Sequence, residues 1–244
     1  MLRQLAIIAA GLLSLATAHA FEIPASTTQC VVGTAKDWNT SYVTLKLYER
    51  DGGAWRQVGQ AWQGRLGKNG LVWGRGMSPV PAGAVLKKEG DNRAPTGVFS
   101  IGGAWGRDAS IRKHPRQFYR QVTSRDLWIE DPTSPSYNRN VVLDHEPSTA
   151  WEKKQQMKQA DDNAHALKLF IAHNAPPNAT PNGGSSIFFH IWRGGGSKPS
   201  AGCTTMPEDK LRWLVARIDP TRKPVYVLLT EADYQAKRAA WALP

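Results

Sequence analysis

The chain has 244 residues, 31 basic against 20 acidic side chains and a formal net charge of +11 at pH 7. It is long enough to bury a core as one domain, and two cysteines offer at most one bridge, a thin staple for a domain with its own core. No repeat of fixed period and no low-complexity linker divides it.

The first segment reads as an address. Arg3 precedes an apolar stretch from Leu5 to Ala18, and Ala18-His19-Ala20 fits the small-x-small rule for cleavage. These features predict a secretory signal peptide over residues 1–20, cut after Ala20. The stretch is too short to span a bilayer comfortably, and no later run approaches a membrane span. No cysteine stands directly after the cut to carry a lipid. The expected product is an exported, most simply periplasmic, monomeric domain over 21–244. For an exported chain, the basic charge suits an anionic envelope polymer or acidic substrate rather than nucleic acid, although it also serves solubility.

The next half reads as short strands and turns. Val43, Leu45 and Leu47 alternate with polar residues, Asp51-Gly52-Gly53 supplies a hairpin turn, and AWRQVGQAW resumes the pattern. Further strands are predicted at 97–101, 127–130, 140–144, 168–173, 186–191 and 224–230. Helices are predicted over 150–162, 207–218 and 231–241. The second starts with Pro207, Glu208 and Asp209 and carries Leu211, Leu214, Val215 and Ile218 on one face. Thr230 with Asp233 resembles a capping box for the third. The fold class expected is mainly β with a few helices, in a single domain.

Residues 183–206, GGSSIFFHIWRGGGSKPSAGCTTM, hold the densest chemistry. Alternation puts Phe188, His190 and Trp192 on one face of the strand and Ile187, Phe189 and Ile191 on the other. Glycines 194–196 let the chain fold back towards His190. A histidine and a cysteine brought together by such a loop form a nucleophile–base pair. The helix start at Pro207 and an imidazolium at His190 would both favour the Cys203 thiolate, and the amides of Gly202 and Cys203 are candidates for an oxyanion hole. The alternatives for Cys203 are an inert small hydrophobe or a disulfide with Cys30.

From His190 to Met206 the pattern H-x9-S-A-G-C-T-T-M resembles the active-site signature of the L,D-transpeptidase catalytic-domain family. Upstream, KEGDNRAPTGVFSIG (88–102) is similar to that family's substrate-side segment, and the two stand in the family's order. The resemblance covers about residues 43–230. It implies a β-sandwich and a cysteine acyl-enzyme acting on peptidoglycan stem peptides, by L,D-transpeptidation or L,D-carboxypeptidation, without cofactor or metal. Carried over, Cys203 is the nucleophile, His190 its base, Ser200 a support of the loop, and Gly202 with Cys203 the oxyanion donors. Thr204 follows as a substrate contact. Many members read Ser-His-Gly-Cys with Arg or Asn two places after the cysteine, and here Ala201 and Thr205 stand instead, after a short loop. That departure favours a hydrolytic or specialised member, including one that releases a wall-tethered protein. It also leaves the grip on the substrate carboxylate open, with Arg193 and Arg93 as substitutes.

His173, ending the preceding strand, is a substrate contact or a structural histidine held by backbone. Asp144, His145 and Glu146, or Asp161 and Asp162, match no compact zinc spacing. A non-catalytic cell-wall-binding module would use the basic surface and exposed tryptophans, but would have no use for both His190 and Cys203. A papain-like protease would place its cysteine early, ahead of the histidine.

Overall fold

Alternating burial along Val43, Leu45 and Leu47 builds the expected hairpin, β2 (Tyr42–Glu49) against β3 (Arg56–Arg65). The strand ahead of them, β1 (Gln29–Ala35), is buried along almost its whole length, so it lacks the alternation that betrays a strand. It pairs antiparallel with β2 and parallel with β12 (Val225–Thr230). The computed structural model describes residues 21–157 and 162–244. The signal peptide read over residues 1–20 lies outside the described residues.

The next strands are β4 (Leu71–Trp73) and the 13-residue β5 (Ala94–Gly106). Beyond an insert, they are followed by β9 (Leu167–Ile171), β10 (Phe188–Ile191) and β11 (Thr204–Met206). Strand β3 pairs with β11, β11 with β10, β10 with β9 and β9 with β5. Strand β5 then pairs with β12. The ladder of strands thereby closes on itself. The bend that permits this lies in β5, whose register shifts between Ile101 and Ala104. Gly102 and Gly103 occupy that bulge, so the strand serves β12 with one half and β9 with the other.

Inside the closed ladder, Leu45, Phe99, Leu169, Phe189 and Tyr226 meet Leu211, Leu214 and Val215 of α2 (Glu208–Arg217), all essentially buried. Helix α2 lies one residue inside the predicted 207–218 at each end, with Pro207 as its N-cap and Glu208 and Asp209 beside its positive end. Helix α3 (Glu231–Lys237) ends earlier than expected. Trp241 and Leu243 instead turn back with Tyr234 onto the outer face of β1 and β12. The Thr230 hydroxyl accepts from the Asp233 N–H (3.0 Å) and donates to the Asp233 carboxylate (2.7 Å), so half of the capping box forms.

The insert between β5 and β9 carries β6 (Tyr119–Gln121), the pair β7 (Asp126–Trp128) and β8 (Asn140–Val142), and α1 (Ala150–Gln155). Thr149 and Glu152 form a full capping box at α1. The helix is shorter than the 150–162 predicted. Gln156 turns extended beside Leu127, and Met157 packs with Trp105, Trp128 and Phe188. Residues 158–161, the rest of that prediction together with Asp161, lie outside the described residues. Asp126 anchors the insert. Burial works against its charge, but Arg120 and the N–H and hydroxyl of Thr123 (both 2.9 Å) outweigh it and hold the carboxyl below the usual range. The insert thereby covers the outer face of β9 and β10. No described helix is long and apolar enough to cross a membrane.

Cys30 and Cys203 are free thiols in different packing groups, Cys30 among Val225 and Val227 and Cys203 beside Trp128 and Phe188. The disulfide alternative is not formed. Cys30 is fully buried (0 % exposed), so alkylation of the native, unreduced protein is expected to mark Cys203 alone. Denatured without reductant, the chain should take up label at both cysteines; mass spectrometry showing no uptake there would mean that a bridge exists.

Candidate active site

Strand β10 divides two environments. Phe189 faces the core, while Phe188 packs against the insert, and alternation places His190 on the same outer side as Phe188. Strand β11 lies parallel to β10 with Phe189 opposite Thr204 and His190 opposite Thr205. Cys203 immediately precedes Thr204, so the same alternation puts its side chain on the side of Phe188 and His190. The Phe188 N–H donates to Cys203 Sγ at 3.4 Å, and the thiol reaches the Ser186 carbonyl at 3.4 Å.

His190 is buried, with Nδ1 2.8 Å from the Ile191 carbonyl. A carbonyl only accepts, so Nδ1 carries the proton and Nε2 presents a lone pair. Burial, reinforced by the charges of Arg193 and Lys168, pulls its pKa down to about 4, although the Ile191 bond works the other way. The ring stacks on His165 at 4.8 Å. His165 Nε2 accepts from Arg193 at 3.0 Å, and burial pulls its pKa down to about 2. Both imidazoles are therefore neutral at neutral pH.

The return loop is pinned at two places. Gly194–Gly196 form a short 3-10 turn with positive φ at all three residues, a conformation that glycine adopts without strain. The buried Arg65 of β3 donates to the Gly196 carbonyl (2.6 Å) and to Ser41. Further on, the Ser200 N–H donates to the Leu66 carbonyl (2.9 Å). The Ser200 hydroxyl donates to the Cys203 carbonyl (2.6 Å) and accepts from the Gly202 N–H (3.0 Å). The predicted loop support is thus a hydroxyl that closes the turn before the thiol. It also takes the Gly202 amide out of the proposed oxyanion pair. Gly202 serves by shape, since its φ is +148° and a Cβ there would lie 2.9 Å from the Arg93 carbonyl. The Cys203 N–H has no hydrogen-bond partner among the described residues.

Cys203 and His190 line one cavity of about 360 Å³, with Phe188, Lys168, Lys87 and Glu130. The substrate-side segment reaches it too, through Glu89, Gly90 and Asn92. Arg93 does not: its guanidinium donates to the Leu71 carbonyl (3.0 Å), and its own carbonyl receives Lys87 Nζ (2.9 Å). Arg193 lines the cavity, but its charge is committed to the Asp162 carboxylate. His173 is fully buried, its Nδ1 accepting from the Arg75 N–H (3.1 Å) and its Nε2 donating to the Gly183 carbonyl (3.0 Å). Thr204 faces the core and shares a hydrogen bond with the Tyr226 hydroxyl (3.0 Å). Of the expected substrate contacts, only Arg193 borders the cavity, because the others already have partners in the backbone or core. Thr205 is buried opposite His190, and its hydroxyl has no partner among the described residues.

Sequence reading missed Lys168, Lys87 and His165. The signal for Lys168 was present, a lysine inside the otherwise apolar strand LKLFI. It is buried, directly opposite His190 in the ladder, and its ammonium donates to the Met157 carbonyl at 3.1 Å. Burial pulls its pKa down to about 8, with Cys203, Glu130 and Asp162 opposing. The Cys203 thiol is pushed up by burial, against the Phe188 N–H and the charges of Lys168 and Lys87. Elsewhere, His145 lies 2.6 Å from Asp144 and 3.0 Å from Glu152 on the exposed surface. Among the described residues no three histidine, cysteine or acidic side chains group to hold a metal ion.

Comparison with solved structures finds the helical cell shape determining protein Pgp2 from Campylobacter jejuni. The match has 14 % identity and a TM-score of 0.37, covering 83 % of this chain and 48 % of that one. Its K307A mutant matches at 14 % identity and a TM-score of 0.38, covering 91 % and 56 %. The chain thus spans about half the length of these proteins. No curated protein matches. The family model of the L,D-transpeptidase catalytic domain (YkuD) matches residues 37–227, close to the span over which the two motifs and the closed ladder extend. The chain belongs to the L,D-transpeptidase catalytic-domain family.

Proposed function

We propose that this chain is an exported cysteine acyltransferase acting on peptidoglycan stem peptides, with Cys203 as nucleophile and His190 as base. The observation that carries this reading is the thiol and a neutral imidazole on one face of β10 and β11, lining one cavity. Family membership supports the substrate class, and a net charge of +11 suits an anionic wall polymer outside the cytoplasm.

In this mechanism His190 Nε2 takes the thiol proton, and the Cys203 sulfur attacks the carbonyl of the L-centre of a diamino acid residue. The C–S bond forms while the carbonyl electrons move to oxygen, where the Cys203 N–H donates to the developing charge. Collapse breaks the C–N bond. The terminal D-alanine leaves as an amine with the proton from His190, and a thioester remains. An amine from a second stem, or water, then attacks the thioester and releases Cys203. The acceptor decides between crosslinking and trimming, and Ala201 and Thr205 in place of the common residues favour water or a specialised acceptor.

Sacculi and tetrapeptide muropeptides incubated with the protein are expected to gain crosslinks between diamino acids or lose one D-alanine. Neither change should appear with Cys203→Ala. Identical chromatograms and mass spectra from both proteins would overturn the reading. The pH profile offers a second check. A base with a lowered pKa keeps its lone pair to lower pH, so the acid limb of kcat/KM should fall near pH 4 rather than at the ordinary histidine value of 6.5. His190→Ala should reduce turnover about 100-fold or more; an acid limb near 6.5 in the parent would place the base elsewhere.

A further inference from the structure

We propose that Lys168 is a positioning residue that acts through Cys203, as the fixed counter-charge of its thiolate. The inference rests on the reading of Cys203 as nucleophile, and concerns what stabilises the anion once the proton has left.

Lys168 is 5 % exposed. A buried ammonium without a counter-ion is costly, so one retained in a cleft marks a functional group. Its one hydrogen bond among the described residues, to the Met157 carbonyl at 3.1 Å, leaves two N–H donors without a partner there. Among the described residues no carboxylate forms an ion pair with it. The ammonium lies 5.7 Å from the centre of the Phe188 ring, and the backbone N–H of that same Phe188 donates to Cys203 Sγ. Lysine and thiol thus flank one aromatic residue, line one cavity and act on each other electrostatically.

The neighbouring charges leave this role to Lys168. From the upstream segment, Lys87 also faces the thiol, but its ammonium is held by Asp91 (2.6 Å) and the Arg93 carbonyl (2.9 Å). Arg193, in the return loop, is neutralised by Asp162, and His190 and His165 are uncharged. Glu130, beyond β7, opposes the thiolate, and Lys154 of α1 borders the cavity from its exposed side. Lys168, a cation without a carboxylate partner among the described residues, favours the thiolate while disfavouring a proton that rests on His190. The proton then passes on to the leaving amine instead of returning to sulfur, and below about pH 8 the lysine keeps its own.

The test is the pH dependence of Cys203 alkylation by iodoacetamide in the full chain, mapped to the Cys203 peptide by mass spectrometry, with thermal melts as the check on folding. Lys168→Met keeps the length and removes the charge. Lys168→Gln also keeps a donor for the Met157 carbonyl. Both are expected to slow alkylation about 10-fold or more below pH 8, where the parent's ammonium is charged, and to match the parent above it, where the lysine has lost its proton. A folded variant with the parent's rate below pH 8 would overturn the proposal. Alkylation needs no muropeptide, so the two readings fail separately. A slowed variant of a protein that leaves muropeptides untouched keeps Lys168 and discards the substrate. An unchanged rate in a protein that processes them discards Lys168 alone.

Discussion

The parallel register of β10 and β11, with His190 opposite Thr205, is the constraint on which the site depends. Parallel neighbours need a crossover connection of a dozen or more residues, and residues 192–203 supply it. Alternation then does the rest: Phe189 and Met206 go to the core, while Phe188, His190 and Cys203 turn to the cavity. A slip of one residue in either strand would send the histidine or the thiol to the wrong side. Closure of the ladder makes such a slip costly, because β10 and β11 are held between β9 and β3. Arg65 and the Ser200 hydroxyl fasten the crossover to that frame.

The insert between β5 and β9 sets the electrostatics. Trp128 and Met157 pack over Phe188 and remove the outer face of β10 from water. Desolvation penalises every charged form it covers. It holds His190 and His165 neutral, lowers Lys168 and raises Cys203, with nearby charges correcting each value in part. A neutral imidazole beside a thiol and an ammonium differs from the thiolate–imidazolium pair that the His190 and Cys203 motif suggests by itself. The cation is supplied by the adjacent strand β9 instead.

Much of the fold was legible because its signals are local. Alternation marked β2, and Pro207 with Glu208, Asp209 and the spacing of Leu211, Leu214 and Val215 marked α2. Strand β1 was not legible, since a strand buried on both faces has no period to read. Helix α1 ended early because Met157 is drawn into an aromatic cluster assembled from β5, β7 and β10, residues distant in the chain. Arg193 and Arg93 were reasonable hands for a carboxylate by type, but each had a nearer partner that only folding brings up.

The sequence by itself determined the mainly β class, the order of the two motifs, and the residues Cys203, His190 and Ser200 as one local constellation. Those features rest on spacing along one stretch of chain. Tertiary structure alone decided that the Gly202 amide belongs to Ser200, that Thr204 and His173 are held away from the cavity, and that Lys168 shares the cavity with the thiol. The reason is physical. Which groups share a desolvated space depends on strand pairing across many residues, and both hydrogen-bond partnership and pKa follow from that shared space rather than from sequence neighbourhood.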